Sequence, residues 1–113
     1  MDTYPGLGQV VEIDFGNDGP FGPFAAELTF PKEGSSLSFL VKRGSLLNKA
    51  ETCEYRAVHV DAAVWMVSWR EADGLTVVQV QDFASGRLWS AVTNPQNELS
   101  YLDGTIRILR DLE

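Results

Sequence analysis

Apolar and polar residues alternate along most of this chain, and Gly, Pro, Asn and Asp break the alternation roughly every 10 to 14 residues. A period of two sends successive side chains to opposite faces of a strand. Eight such stretches follow one another: "GQVVEIDF", "FAAELTF", "LSFLVKR", "TCEYRAVHV", "VWMVSWRE", "TVVQVQDF", "SGRLWSAVT" and "LSYLDGTIRIL". The last is predicted to be interrupted at its Asp-Gly. Between the fifth and sixth, "EADG" is the clearest hairpin signal, since Asp-Gly tolerates the positive φ of a tight turn. No window carries a 3.6-residue apolar stripe over three turns, and "GSLLNKAE" has room for at most one short helical turn.

Eight consecutive short-looped strands in a single domain, residues 1–113, predict an all-β fold. It is expected to be an eight-stranded antiparallel up-and-down β-barrel of calycin or lipocalin-like type, because closing a meander removes its exposed edges. An open two-sheet sandwich is the alternative. Eight strands enclose either a filled interior or room for one small ligand.

The central hairpin, "VWMVSWREADGLTVVQVQDF", poses the functional question. Trp65, Val67, Trp69 and Glu71 share one face, and its bulk makes it the better interior face; Val64, Met66, Ser68 and Arg70 share the other. In the sixth strand either Val78 and Val80 point inward, or Val77, Gln79, Gln81 and Phe83 do. The second choice lines the interior with amides beside Glu71. An inward carboxylate is costly unless amides, hydroxyls, an Arg or a ligand surround it. A solvated acid at the hairpin end and tryptophans serving as plain core fit the same residues.

Composition narrows the partners. A net charge of −7 and nine thinly spread Lys and Arg give no basic stripe, which argues against nucleic acid and anionic membranes. Hydrophobic content of 44% argues against disorder. No signal peptide is visible in "MDTYPGLGQ", and no apolar run approaches a membrane span of about 20 residues, so a cytoplasmic location is expected. Cys53 is the single cysteine and is expected to be inert, with Glu51 and Glu54 nearby raising its thiol pKa.

His59 is the single histidine, so neither a clustered metal site nor a Ser-His-Asp triad is supported, and no "GxSxG" is present. "GNDGPFGPF" lacks the Gly-Lys-Ser/Thr of a phosphate loop; it reads as a loop at a barrel mouth, with Phe21 and Phe24 capping or anchoring it. No cofactor is expected. An internal cation, if one exists, is expected from Arg56 or from Arg43.

The run from Tyr55 to Pro95 resembles the MoaF-like family of small calycin-like barrels, through Tyr55, Ala57, Val67, Ser68, Trp69, Glu71, Asp73, Gly74, Thr76, Val77, Val80, Asp82 and Phe83. The "VSWxE…G" hairpin is also similar to that of phenolic acid decarboxylases. That likeness implies that Glu71 takes part in cofactor-free decarboxylation, that Trp69 and Val77 wall the site, and that Gln79 points inside. The first strand departs from it, offering Ile13 and Phe15 where the decarboxylases carry two substrate-gripping tyrosines. The family name implies a link to molybdenum cofactor biosynthesis, but no residue pattern here reads as pterin or metal chemistry.

The expectation is a barrel holding an unknown, partly apolar small molecule. Trp65, Trp69 and Phe83 would supply stacking surface and Val77 a wall. Glu71, Gln79, Gln81 and Arg56 would orient the ligand. The alternatives are a lyase using Glu71 as general acid or base, and a structural module with a filled barrel. An outer stripe of Val64, Met66, Val78 and Val80 raises the expectation of a homodimer, and equally fits a monomer with a covering loop.

Overall fold

The structure is a computed structural model and describes residues 3–112. Eight strands follow in chain order: β1 (Gln9–Asp14), β2 (Ala25–Phe30), β3 (Ser36–Arg43), β4 (Ala50–Asp61), β5 (Val64–Arg70), β6 (Thr76–Asp82), β7 (Arg87–Thr93) and β8 (Leu99–Asp111). Each pairs antiparallel with the next, and β1 pairs with β8, closing the barrel. That closure excludes the sandwich. Among the described residues no helix is long and apolar enough to cross a membrane.

Alternation assigns the faces. Val11 and Ile13 of β1, Leu28 and Phe30 of β2, and Leu37, Phe39 and Val41 of β3 are buried in the interior. The same parity places Val77, Gln79 and Gln81 of β6 inside, at 5%, 2% and 0% exposure. The ambiguity of the sixth strand is thus resolved toward the glutamines. Val80 and Met66 face out, in one cross-strand row with Trp89, whose ring lies 5.2 Å from the Arg87 guanidinium carbon.

One expectation about the last strand is corrected. β8 runs unbroken through Asp103–Gly104, with a register shift only further on, opposite Val10/Val11. Gly104 serves close packing instead: a Cβ there would be driven into the Asp14 carbonyl oxygen at the end of β1. Gly44 is fixed twice over, by a φ of 102° and by the Pro23 carbonyl against it.

Because successive strands alternate in direction, the connections sort to two ends. Residues 15–24, 44–49, 71–75 and 94–98 gather at one end, and residues 31–35, 62–63 and 83–86 at the other. Residues 3–8, before β1, close this second end. Their turn is held by Leu7 N–H donating to the Tyr4 carbonyl at 3.0 Å and by Gly8 N–H donating to the Phe30 carbonyl at 2.7 Å. Tyr4 enters the barrel and meets Phe30, Trp65 and Phe83 edge-on, at centroid separations of 5.1, 5.5 and 5.7 Å.

Gly104→Ala is expected to cost about 2 kcal/mol, because the backbone of β1 must move to admit the methyl group. Melting temperature should fall by on the order of 10 °C. Thr105→Ala, one residue on, serves as the comparison in the same thermal unfolding measurement and should change it far less.

Candidate functional site

Tyr4 fills only the closed half of the barrel. Toward the other end the interior opens into a cavity of about 180 Å³, whose walls include Ile13, Leu28, Phe39, Trp69, Val77 and Val92. Phe15, Phe21, Phe24, Leu46 and Leu75 surround its mouth, together with Lys49, Asn94 and Glu98. The Phe15 and Phe24 rings stack at 5.6 Å, and Phe21 packs edge-on to Phe24 at 6.3 Å. The glycine- and proline-rich loop therefore supplies an aromatic rim, as the sequence suggested.

Glu71 lies at the start of the β5–β6 turn with its side chain 10% exposed. Its Oε1 accepts from Lys49 Nζ at 3.0 Å and its Oε2 from the Trp69 indole N–H at 3.2 Å. Lys49 Nζ also donates to Asp73 Oδ2 at 2.9 Å and stands 5.9 Å from the centre of the Phe39 ring. Burial alone would lower the Lys49 pKa, but hydrogen bonds to Asp73 and Glu71 outweigh it and hold the ammonium above its ordinary value. Asp73 is held below the usual carboxylate range, first by its hydrogen bond to Lys49. The turn itself is pinned by carboxylates: Asp73 Oδ1 accepts from Leu75 N–H at 3.1 Å, and Glu51 Oε2 from Ala72 N–H at 2.6 Å.

The floor of the cavity is polar. Tyr4 hydroxyl donates to Gln81 Oε1 at 2.6 Å, and Gln81 Nε2 donates to Gln79 Oε1 at 2.9 Å. Burial raises the Tyr4 pKa far above its ordinary value, so the phenol keeps its proton. Gln79 lines the cavity, and beside it, directly across the β6–β7 ladder, stands Ser90, 4% exposed.

The expected site residues separate into three groups. Trp69, Glu71, Val77 and Gln79 line the cavity. Trp65 and Phe83 pack on Tyr4 in the closed half, and Gln81 is the link between Tyr4 and Gln79, none of the three being a wall of the cavity. Arg56 is corrected: it is exposed on the outer face of β4, opposite Ser68, because its neighbours Tyr55 and Ala57 take the inward positions. Arg43 grips Asp14 at 2.7 Å at the end of β1 and does not reach Glu71. Cys53 is buried, and burial followed by the charge of Glu51 pushes its thiol up to about 11, which keeps it protonated at neutral pH.

Sequence reasoning missed three residues. Lys49 lies in a connection, where strand parity says nothing. Its position depends on Asn48, whose φ of 74° turns the chain back over the mouth. Tyr4 precedes the first strand. Ser90 was legible, since the alternation Leu88, Ser90, Val92 puts a lone hydroxyl on an apolar inner face.

A closed eight-stranded barrel plugged at one end and open through a narrow apolar cavity at the other defines a class of small barrel. The chain belongs to the MoaF-like family, whose model matches residues 8–107. A solved structure described as a "putative beta-lactamase" from Burkholderia vietnamiensis is similar at 26% identity and a TM-score of 0.83, covering 96% of this chain and 100% of that one. No curated protein matches. The chain has no Ser-x-x-Lys, the spacing on which serine lactamases build their nucleophile. Among the described residues no group of three or more His, Cys, Asp and Glu could hold a metal ion.

The mouth should respond to acid in a defined direction. Asp14 and Asp73 titrate below their ordinary value of 3.8 in the folded chain, through Arg43 and Lys49 respectively. Each contributes stability that is present above the unfolded pKa and is lost as pH falls through the folded one. Thermal unfolding should therefore show a Lys49→Met deficit near pH 7 that shrinks steadily below about pH 4, as Asp73 protonates. A deficit independent of pH would assign the loss to packing of the Lys49 stem instead.

Proposed function

We propose that this chain binds a small, partly apolar molecule in the open half of its barrel. The observation that carries this reading is a cavity of about 180 Å³ with apolar walls and a buried hydrogen-bonded floor. Few polar groups converging in an apolar concavity is the usual composition of a ligand site. Volume limits the occupant. An apolar cavity of roughly 150 Å³ admits a benzene ring, and drug-sized sites start near 300 Å³. A single substituted ring or a short branched chain fits.

Glu71 supports this reading better than it supports lyase chemistry. Both its oxygens are engaged, by Lys49 and by the Trp69 indole, so it fixes the Trp69 wall and the mouth turn. A carboxylate that moves a proton must reach it within hydrogen-bond distance, and here Lys49 and the Trp69 indole already compete for both oxygens. The decarboxylase likeness loses further support at Ile13, a cavity wall with no hydroxyl. The name "putative beta-lactamase" given to the similar Burkholderia protein finds no Ser-x-x-Lys here to support it.

Titration with substituted benzenes, followed by tryptophan fluorescence, tests the reading, because Trp69 lines the cavity. Saturable quenching or a spectral shift is expected in the wild type. It should vanish in Val77→Phe, which fills the cavity with its own ring at no loss of melting temperature. Equal responses in both proteins would place the binding elsewhere and overturn the proposal.

A further inference from the structure

The floor of the cavity is more selective than its walls, and its selectivity follows from one proton. The Tyr4 phenol is buried among the edges of Phe30, Trp65 and Phe83, and among the described residues its hydroxyl has one hydrogen-bond partner, Gln81. The phenol must therefore donate, since reversing the bond would strand a buried O–H hydrogen with no acceptor. This fixes the Gln81 amide with its oxygen toward Tyr4 and its nitrogen toward Gln79. Gln81 Nε2 then claims Gln79 Oε1. The direction passes along the relay and leaves the Gln79 amide N–H₂ as its free end.

Gln79 is 2% exposed and lines the cavity, and its nitrogen donates to no described residue. The hydroxyl of Ser90, cross-strand from it and 4% exposed, has no described hydrogen-bond partner either. Two donors on buried side chains thus face the cavity with no acceptor among the described residues, open to whatever occupies it. They are complementary to one acceptor atom.

The acceptor carries no full charge. Among the described residues no cation lines the floor. The one at the mouth, Lys49, is already shared between Glu71 and Asp73. A carboxylate driven down to Gln79 would lose its hydration for two neutral hydrogen bonds, a poor exchange.

We infer that the barrel is specific for neutral carbonyl compounds of one-ring size, such as aryl ketones, aldehydes or esters, whose oxygen accepts from Gln79 Nε2 and Ser90 Oγ at the cavity floor. This rests on the proposed ligand-binding reading and specifies its ligand class.

Three probes of similar shape test it by calorimetric or fluorescence titration: acetophenone, isopropylbenzene and benzoate. Acetophenone is expected to bind about tenfold tighter than isopropylbenzene, the worth of one to two net neutral hydrogen bonds. Benzoate is expected to bind weakest. In Ser90→Ala the ratio of ketone to hydrocarbon affinity should fall severalfold, and in Gln79→Met it should approach one. Should Gln79→Met fail to fold, Ser90→Ala alone decides. Equal binding of ketone and hydrocarbon, tightest binding of benzoate, or a ratio unmoved by Ser90→Ala would overturn the inference while leaving a ligand cavity in place. Binding of none of the three would overturn both.

Discussion

A buried phenol has to donate a hydrogen bond, and much of this barrel is arranged around that requirement. Tyr4 brings a large ring into the closed end, which removes the need for a longer loop or another strand to seal it. Its hydroxyl then needs an acceptor deep in an apolar interior, and Gln81 supplies one at 2.6 Å. Gln81 in turn needs an acceptor for its own amide, and Gln79 is two residues along the same face. Polar side chains thus enter a core where Val or Leu would otherwise serve, each made tolerable by the one before it. The series stops at Gln79 because the cavity begins there.

The two ends of the barrel are stabilised by different physics. At the closed end aromatic edges pack on Tyr4 and exclude water. At the open end charge does the holding, with Lys49 tying Glu71 and Asp73, and Arg43 tying Asp14. These pairs are partly exposed, so each contributes modestly, and their chief effect is to fix where the loops sit. Aromatic rings from the loop between β1 and β2 narrow the entrance without filling it. On the proposed reading, the charged rim positions the entrance and the relay reads what enters.

Strand number and order were legible from the alternation and its punctuation, because each strand has one face in and one face out. Closure into a barrel rather than a sandwich rests on the pairing of β1 with β8. Parity put Trp69 with Glu71 and Val77 with Gln79, and left open whether the second pair shared the first pair's interior face. It could not divide the interior along the barrel axis, so Trp65, Gln81 and Phe83 were grouped with the cavity although they belong to the plugged end. That division comes from Tyr4, whose position depends on a turn before the first strand. An inward Glu71 needed polar partners, and the cations the sequence offered were Arg56 and Arg43. The actual partner, Lys49, reaches it through a left-handed Asn48 in a connection, a backbone detail no alternation encodes. Asp103–Gly104 looked like a break in β8, yet the glycine is there for close approach of β1.

The central claim is that the relay ends in a free amide facing an occupiable cavity. Side-chain amide signals of ¹⁵N-labelled protein, with Gln79 assigned by its loss in Gln79→Met, test this most directly. On addition of acetophenone the Gln79 N–H₂ pair should shift strongly, as the ligand oxygen takes up its hydrogens. If the Gln79 signals stay fixed while other resonances move, or no resonance moves at all, the account of the cavity floor is contradicted.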